Sequence, residues 1–375
     1  MTSQATLAVA AVAIAAMLGK AYGRAALTAS AQVGGRALKA ASRLAAGAAL
    51  AALLALSGPA GANDSIANLE TGGLVLIKNT DVEMRSEDLY ISDKAVRVKY
   101  LFMNTSPKDV TVTVAFPMPD IAWDAAYVNT DIPAAGANFL AFTTTVDGKP
   151  VKAQAEQKAM DQNGVDRTAY LLGIGVPLDT RDPATNDDAL NRLPKAQQDA
   201  VVKLGLAAWP DEGIGVPHKL SARWTLKTTF FWQQTFPAGH AVIVEHNYTP
   251  SVGQSFDFGW GVGSKAHWLD DPADRKDNCV DDAFVAAFRK TRPSDSKIPF
   301  GEEHIDYVLV TGANWKAPIG DFRMVIDKGN PANLVSFCGT GVRKTGPTTF
   351  EVHYTNFTPT SNVSVLILNP NWRFP

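Results

Sequence analysis

The chain has 375 residues, of which 46% are hydrophobic and 19% are charged, and its formal net charge is −2. This charge gives no electrostatic reason to bind nucleic acid or an anionic membrane surface, so neither partner is expected. The length fits one elaborated domain or two packed units.

The N-terminal residues, 1–62, carry the three parts of a secretory signal. An apolar run, Leu44–Leu56, follows a cluster of cations and precedes a helix breaker, Ser57-Gly58-Pro59, and the small residues Ala60-Gly61-Ala62. The run is shorter than the about 20 residues that a membrane-spanning helix needs. We therefore expect cleavage after Ala62 and a periplasmic or secreted protein with no integral membrane segment afterwards.

A second apolar stretch, Leu7–Leu18, precedes the signal. Either translation begins near Met17 rather than at Met1, or the signal is extended. Cleavage after Ala62 would remove five cations and no acid, so the formal charge of the remaining 313 residues would be −7.

Residues 63–150 are predicted to form the N-terminal part of a β-sandwich. Val110–Phe116 alternates apolar residues with threonines, which is the period-two pattern of a half-buried strand. The strand Phe139–Val146 ends at Asp147-Gly148, a pair suited to a tight hairpin. The other strands predicted here are Leu74–Ile77, Leu89–Ser92 and Ala95–Phe102.

Residues 151–215 are predicted to be a small helical insertion packed on the sheets. Asp166 is placed to cap a short helix that ends at Gly173. A longer helix is expected over Pro194–Leu204, because proline favours the first turn and Gly205 follows the last.

Residues 216–375 are predicted to form the C-terminal β-rich part. The strands Arg223–Gln233 and His240–Tyr248 flank a turn with proline and glycine, which predicts a hairpin. A helix is expected over Asp281–Lys290, since its acids lie in the first turn and its cations in the last. The remaining predicted strands are Tyr307–Thr311, Asp321–Asp327, Leu334–Phe337, Thr349–Tyr354 and Val363–Leu368.

The predicted fold class is mainly β. The strands indicate an antiparallel β-sandwich architecture, as one elaborated unit or as two packed β-rich units, with the small helical insertion between its parts.

Cys279 and Cys338 are the two cysteines, and both follow the predicted cleavage site. In an oxidising compartment an isolated pair favours a disulfide over a metal site or a catalytic thiol. The loop-entropy model gives such a closure roughly 4 kcal/mol of stabilisation.

A turn-rich segment holds the candidate ligand-binding residues Trp315, Lys316 and Asp321. Trp315 could be an exposed platform for a sugar or a peptide, with Lys316 and Asp321 supplying polar contacts. Alternatively, Trp315 plugs the end of the sandwich, and we favour this structural interpretation because tryptophan is on average highly buried.

No catalytic residue, metal site or cofactor is predicted. His240 and His246 share one face of a predicted strand, but six residues of strand separate them by roughly 20 Å, too far to bind one metal ion. The acidic run Asp270–Asp282 does not match the EF-hand spacing. The glycine-rich Gly259–Gly263 lacks the lysine ending and the following helix of a phosphate-binding loop.

Tyr307–Gly320 reads YVLVTGANWKAPIG and continues into DFRMVIDKG and later VSFCGTGV. With FPMPDI at Phe116–Ile121 and YTPSVG at Tyr248–Gly253, it resembles a bacterial family of exported proteins known as domain of unknown function 4424. The resemblance runs from Asn63 to about Asn369, and GANWKAPIG is its most specific part. It implies an exported, mostly β protein of unassigned role, and it transfers no catalytic residue.

Two functions are compatible with these observations. The first is a non-catalytic exported protein that binds an envelope component, a glycan or a peptide. The alternative is a hydrolase acting on envelope carbohydrate or peptide, whose paired carboxylates would be distant in sequence. Because no catalytic motif is present, we favour the binding protein.

Overall fold

The computed structural model describes residues 63–70, 73–122, 130–131, 136–180, 183–209, 219–257, 275–276, 278–291 and 300–370. The predicted signal in residues 1–62, the glycine-rich residues 259–263, the acidic residues 270–274 and 277, and the final segment 371–375 lie outside the described residues. Ala60–Pro375 forms one compact unit.

Most of the described chain is β-strand. The strands are β1 (Ser65–Glu70), β2 (Gly73–Ile77), β3 (Val82–Ile91), β4 (Val96–Asn104), β5 (Val110–Pro117), β6 (Thr130–Asp131), β7 (Thr143–Val146), β8 (Lys149–Val151), β9 (Gln154–Met160), β10 (Ala207–Ala208), β11 (Ser221–Ala222), β12 (Thr225–Phe236), β13 (Ala241–Tyr248), β14 (Val252–Asp257), β15 (Phe300–Tyr307), β16 (Ile319–Asp327), β17 (Leu334–Phe337), β18 (Arg343–Lys344), β19 (Thr349–Phe357) and β20 (Val363–Asn369). The described helices are α1 (Thr168–Gly173), α2 (Pro183–Arg192), α3 (Lys195–Lys203), α4 (Asp282–Thr291) and a 3-10 turn at Val310–Asn314.

Three sheets carry the fold. The first five-stranded sheet has the order β2-β1-β5-β12-β9, the eight-stranded sheet has the order β18-β19-β16-β3-β4-β13-β7-β8, and the second five-stranded sheet has the order β17-β20-β15-β14-β6. The described strand pairs are antiparallel except β3 with β16, which is parallel. Strands from residues 63–150 thus pair directly with strands from residues 216–375. The prediction of a mainly β fold is confirmed.

One large hydrophobic core joins the inner faces of these sheets. Phe116 of the first five-stranded sheet packs on His246 of the eight-stranded sheet, with ring centroids 4.8 Å apart. Tyr307 of the second five-stranded sheet contacts Tyr100 of the eight-stranded sheet through their hydroxyl groups, at 3.1 Å. The eight-stranded sheet therefore packs against both of the others, as layers do in a sandwich.

The hairpin predicted around residues 236–239 is wrong. β12 pairs with β5 and β9 in the first five-stranded sheet, whereas β13 pairs with β4 and β7 in the eight-stranded sheet. The connecting turn therefore carries the chain from one layer to the other. Two alternating runs around a proline–glycine turn are compatible with a hairpin and also with a turn that joins two sheets. The strands with which each run pairs in register decide which of the two forms.

The strand predicted at Tyr307–Thr311 is also wrong beyond its first residue. β15 ends at Tyr307, and the chain then forms the 3-10 turn. Val308 and Leu309 are buried in the core although they lie outside a strand. Short apolar runs do not distinguish a strand from a buried turn, because burial alone keeps them apolar.

Several local predictions are confirmed. Asp147 and Gly148 have φ angles of 48° and 74° and join β7 to β8 in a two-residue hairpin, as a turn with two positive φ angles requires. α3 begins after Pro194, and Gly205 follows it with φ of 70°. α4 lies within one residue of its predicted bounds.

The helical segment has a small core of its own. Leu171, Leu190 and Val201 of α1, α2 and α3 pack with Trp224, which precedes β12. The indole of Trp224 donates to the Leu178 carbonyl at 2.8 Å. α2 was not predicted, because its sequence PATNDDALNR offers too few apolar residues to show helical periodicity.

The predicted disulfide is confirmed: Cys279 and Cys338 are bonded, with Cα atoms 5.2 Å apart. The bond ties the segment before α4 to the residue after β17. Within the described part of the chain, no helix is both long and apolar enough to cross a membrane.

Candidate functional site

A β-bulge in β3 decides which side chains face the core. The pairing of β3 with β4 shifts between Met84 and Ser86, so Arg85 is an extra residue. Side chains alternate along a strand, and one extra residue reverses the alternation beyond it. Glu87 therefore points inward and is buried, whereas Asp88 points outward and is exposed.

Gly320 of β16 makes room for this bulge. A Cβ atom at Gly320 would stand 2.6 Å from the carbonyl oxygen of Arg85, and real Cβ atoms do not approach backbone so closely. The neighbouring Asp321 pairs with Ser86 as the parallel ladder begins. The glycine that ends the GANWKAPIG motif thus permits the backbone contact on which the placement of Glu87 depends.

A group of buried polar side chains lies between the sheets, on the inner side of the eight-stranded sheet. We call it the interior polar cluster, and its members are Asn63, Asp64, Glu87, Tyr100, His246 and Tyr307. Each of these side chains lies on or next to a different strand, except that Asn63 and Asp64 both precede β1.

Hydrogen bonds connect the cluster. Asn63 Nδ2 donates to Glu87 Oε2 at 3.1 Å, and the Tyr307 hydroxyl donates to Glu87 Oε1 at 3.4 Å. The imidazole Nε2 of His246 lies 3.0 Å from Asp64 Oδ1. Buried polar groups cost stability unless they are hydrogen-bonded, and these contacts offset part of that cost.

Two residues of the GANWKAPIG motif, Asn314 and Trp315, and the preceding Thr311 hold the start of β1. Thr311 Oγ1 donates to the Asn63 carbonyl at 2.8 Å, and Trp315 Nε1 donates to the Asp64 carbonyl at 2.7 Å. Asn314 Nδ2 donates to Ser65 Oγ at 3.0 Å. Thr311, Asn314 and Trp315 thus bind residues 63–65. We call these three residues the N-terminal receptor.

Gly312 follows Thr311 of the N-terminal receptor. A Cβ atom there would lie 2.6 Å from the Asn63 side-chain nitrogen Nδ2 and 3.3 Å from Ile319 Cδ1. A larger residue at this position would therefore displace the Asn63 side chain that contacts Glu87.

Burial perturbs the titratable groups of the interior polar cluster. Desolvation raises the pKa of Glu87 to about 8, against the opposing effect of its hydrogen bonds to Asn63 and Tyr307. Desolvation also raises the pKa of Asp64, although the charge and hydrogen bond of His246 act in the opposite direction. The pKa of Tyr100 is likewise raised by burial.

The interior polar cluster is closed to solvent. Its acids and its histidine have between 0 and 2% of their surface exposed. An acid with a raised pKa beside a histidine is the chemistry of a general acid–base pair, but a substrate must reach it. Closed in this way, the cluster is part of the protein interior.

The opposite face of the same sheet carries an open groove of about 500 Å³, which we call the outer groove. Its lining side chains lie on five adjacent strands, and His246 and Val98, whose side chains point inward, contribute to its floor. The lining residues with outward side chains are Asp88, Tyr90, Arg97, Lys99, Thr143, Thr145, Glu245, Asn247 and Arg323.

A row of alternating charge crosses the outer groove. The strand register places Arg323, Asp88, Lys99, Glu245 and Thr145 side by side on neighbouring strands. Arg323 Nη1 contacts Asp88 Oδ1 at 2.9 Å, and Lys99 Nζ contacts Glu245 Oε1 at 3.3 Å. Each acid in the row therefore has a cation within contact distance.

A second row lies beside the first. Tyr90, Arg97, Asn247 and Thr143 occupy successive positions across four strands. The guanidinium of Arg97 lies 4.1 Å above the ring of Tyr90, a cation–π contact. The groove thus offers hydroxyl, amide and guanidinium groups on a rigid sheet.

The three residues predicted as a ligand site face different surroundings. Trp315 is 1% exposed and packs against Phe102, with ring centroids 4.4 Å apart. Lys316 is partly exposed, and its Nζ contacts Thr105 Oγ1 at 2.6 Å. Asp321 is exposed on β16 and lies 2.9 Å from His353 Nε2.

The two histidines of the predicted strand also have different surroundings. His240 precedes β13, and its ring Nδ1 lies 2.8 Å from the Ala238 carbonyl, whereas His246 is buried in the interior polar cluster. Asp281 accepts a hydrogen bond from the Phe284 amide at the start of α4. No group of three or more histidine, cysteine, aspartate or glutamate side chains in the described residues is arranged to hold a metal ion.

Sequence reasoning missed the interior polar cluster. The signal available was a polar residue within an apolar run, as in Glu87 and His246, but such residues are usually solvent-facing. The bulge at Arg85 changes the alternation, and nothing in the local sequence announces that change.

The chain is similar to a protein family of unknown function. A solved structure with partial likeness is that of a "putative nutrient binding protein" from Legionella pneumophila, with 18% identity and a TM-score of 0.39 over 82% of this chain and 70% of that chain. No curated protein matches the sequence. The family model described as "Domain of unknown function (DUF4424)" matches residues 62–366. The chain therefore belongs to the DUF4424 family.

Proposed function

We propose that the chain is an exported, non-catalytic binding protein of the periplasm or the extracellular space. The signal pattern in residues 1–62 and the disulfide between Cys279 and Cys338 support export, because disulfides persist in oxidising compartments. The observation that carries a binding role is the contrast between two sites. The perturbed acids are sealed inside, while the accessible outer groove holds acids that are already paired with cations.

The outer groove is the proposed ligand site. Its cations and acids alternate, so it favours a ligand with both donors and acceptors, such as a glycan or a peptide, over a simple anion. The guanidinium of Arg97, stacked on the ring of Tyr90, offers a planar group with N–H donors of the kind that bind hydroxyl and carbonyl oxygens. Asp321 lies on the same outward face of β16 as Arg323, two residues earlier in the strand.

Trp315 has a supporting role in this proposal. Its indole is held by the Asp64 carbonyl and by the aromatic core, so it positions the strands behind the groove. Lys316, partly exposed beside Glu83, lies at the end of the same loop.

Export is tested by expressing the 375-residue chain in a bacterium with a periplasm and fractionating the cells. We expect the protein in the periplasm or the medium, with an intact mass that begins at Asn63 and contains the disulfide. A cytoplasmic protein of full mass, or two free thiols in an exported protein, would contradict the proposal.

Binding is tested by titrating the purified protein with peptidoglycan fragments, oligosaccharides and short peptides, using NMR shifts or calorimetry. Arg97→Ala should weaken binding at least 10-fold, because it removes the guanidinium from the centre of the groove. Arg192→Ala is the matched control, since it removes an exposed cation from helix α2. Equal weakening by both substitutions would count against the groove.

The alternative, a hydrolase, has one observation in its favour. Asp88 and Glu245 lie on either side of Lys99, two strand spacings apart, or about 10 Å between their backbones. An inverting glycosidase needs two carboxyl groups at roughly this separation, but Lys99 occupies the space where a sugar would sit. Hydrolysis of a bound oligosaccharide that Glu245→Gln abolishes would favour the enzyme.

A further inference from the structure

Residues 63–65 are buried completely, although they directly follow the predicted cleavage site. Asn63, Asp64 and Ser65 each have 0% exposed surface. Their backbone and side-chain oxygens accept hydrogen bonds from the N-terminal receptor, at 2.7 to 3.0 Å. The new end of a cleaved chain would therefore lie inside the protein rather than in solvent.

Glu87 beside this segment has no cation. Its hydrogen-bond partners are the neutral groups Asn63 Nδ2 and the Tyr307 hydroxyl. Among the described residues, no lysine, arginine or histidine forms an ion pair with it. An ionised carboxylate buried without a counter-charge is costly, so ionisation of Glu87 favours a cation that the described residues do not supply.

The interior also holds more acidic than basic groups among the described residues. The titratable groups that face this region from the surrounding elements comprise two carboxyls, one imidazole and three phenols: Asp64, Glu87, His246, Tyr100, Tyr248 and Tyr307. The region thus holds two carboxyls and one imidazole. An additional cation would stabilise the ionised form of Glu87, whose raised pKa otherwise favours the neutral acid.

Two buried acceptors at the same place lack donors. Asn63 Oδ1 and Asp64 Oδ2 are buried and have no hydrogen-bond partner in the described residues. An ammonium group carries three N–H donors, whereas the peptide nitrogen of Asn63 in an uncleaved chain carries one. Among the described residues, these two oxygens thus lack hydrogen-bond donors and Glu87 lacks a positive partner.

We propose that hydrolysis of the Ala62–Asn63 peptide bond creates an α-ammonium group at Asn63 that pairs with Glu87 and completes the interior polar cluster. The hydrolysis consumes one water molecule, leaves a carboxylate on Ala62 and a protonated amine on Asn63, and requires a signal-processing peptidase. The inference rests on the proposed export and cleavage. Because Asn63 Nδ2 already contacts Glu87, covalent geometry places the new ammonium no more than about 8 Å from that carboxylate.

The pairing changes how stability depends on pH. With residue 62 still attached, Glu87 has a pKa of about 8 in the folded chain and a value near 4.5 when exposed by unfolding. Between these values the folded chain holds a proton that the unfolded chain has released, so stability falls as the pH rises from about 4.5 to 8. A Glu87 carboxylate paired with the ammonium is ionised in both states, and this fall disappears.

Four proteins test the pairing without any export. One is residues 63–375, released from a fusion by a protease that leaves no extra residue, and the second retains Ala60-Gly61-Ala62 at its start. Glu87→Gln is introduced into both. The melting temperature is measured between pH 4.5 and 8 at constant ionic strength.

We expect the chain that retains three residues to lose about 5 °C across this pH range relative to the chain that begins at Asn63. Glu87→Gln should make the two pH profiles coincide. Identical profiles in the Glu87 background, or a difference that persists with Glu87→Gln, would overturn the pairing.

A second measurement tests the pairing even if Glu87→Gln prevents folding. The α-amine of the chain beginning at Asn63 is labelled by reductive ¹³C-methylation, and its titration is followed by NMR. We expect a pKa above the usual about 7.7 to 8 for an α-amino group. A value in the usual range would contradict the pairing. An exported protein whose mass begins elsewhere would refute the cleavage while leaving the pairing result intact.

Discussion

Both faces of the eight-stranded sheet carry acidic side chains. Those on the inner face are buried, whereas those on the outer face lie at the surface and pair with cations. On the inner face Glu87 is buried with neutral partners and its pKa is raised to about 8, whereas its neighbour Asp88 on the outer face is paired with Arg323. Similarly, His246 is buried beside Asp64, while the adjacent Glu245 contacts Lys99 at the surface. One step along a strand leads from a buried polar cluster to an open groove.

The position of a charged residue in the strand register therefore determines whether it is buried or exposed, more than its residue type does. A strand places successive side chains on opposite faces, so the bulge at Arg85 assigns Glu87 to the interior and Asp88 to the groove. Substitutions on the inner face should therefore cost stability, and those on the outer face should affect ligand binding with little loss of stability.

The largest expected effect is that of Trp315→Ala. The substitution removes an aromatic contact with Phe102 and leaves the Asp64 carbonyl without its indole donor. We expect the free energy of unfolding to fall by about 4 kcal/mol, measured by urea denaturation. The control Leu172→Ala removes a side chain that is 58% exposed and should cost less than about 0.5 kcal/mol. A loss below about 1 kcal/mol for Trp315→Ala would show that the loop is not part of the core.

His246→Leu, together with Asn247→Ala, compares the inner face of β13 with its outer face. It leaves the buried Asp64 carboxyl without its imidazole partner, and we expect a loss of about 3 kcal/mol in the free energy of unfolding. Asn247→Ala changes the next residue of the same strand, on the outer face, and should cost less than about 1 kcal/mol. Equal losses from both substitutions would break the distinction between the faces.

Gly320→Ala tests the bulge that sets the alternation. The new Cβ atom would meet the Arg85 carbonyl oxygen at 2.6 Å, so the backbone of one strand must shift, and we expect a loss of about 2 kcal/mol. Gly253→Ala is the matched control within a strand, because its Cβ atom would meet its nearest neighbour at an ordinary 3.7 Å. If the two substitutions behave alike in thermal unfolding, close approach at the bulge is not required.

Arg323→Ala should have the smallest effect on stability. Arg323 pairs with Asp88 and Glu351, but all three side chains are partly exposed, and surface ion pairs contribute little. We expect a loss below about 1 kcal/mol at low salt and still less at 1 M salt, where such pairs are screened. A loss of several kcal/mol that persists in salt would mean that the outer groove also stabilises the fold.

Much of the fold follows from local patterns. The alternation in Val110–Phe116 predicts β5, Asp147-Gly148 predicts the hairpin of β7 and β8, and the terminal charges of α4 predict its bounds. These predictions succeed because each depends on a few consecutive residues. The hairpin around residues 236–239 fails because β12 and β13 pair with strands more than 60 residues away in sequence.

The candidate sites were harder to predict for the same reason. Trp315 was recognised as a residue of interest, and its proposed burial depends on contacts with Asp64 and Phe102, more than 200 positions earlier in the chain. The row that crosses the outer groove draws its side chains from β16, β3, β4, β13 and β7. No window of sequence contains such a row, because its members are neighbours only after the strands pair.

The sequence by itself determined the mainly β class and the pairing of Cys279 with Cys338, because composition, periodicity and cysteine count do not depend on which strands meet. Its motifs, above all GANWKAPIG, carried the likeness to the DUF4424 family. Only the tertiary structure decided that Glu87 lies inside and Asp88 outside, and that Thr311, Asn314 and Trp315 bind residues 63–65. Those outcomes depend on strand register and on one extra residue at Arg85. Register is a property of partners distant in the chain, and the free energy of burying the whole interior selects it.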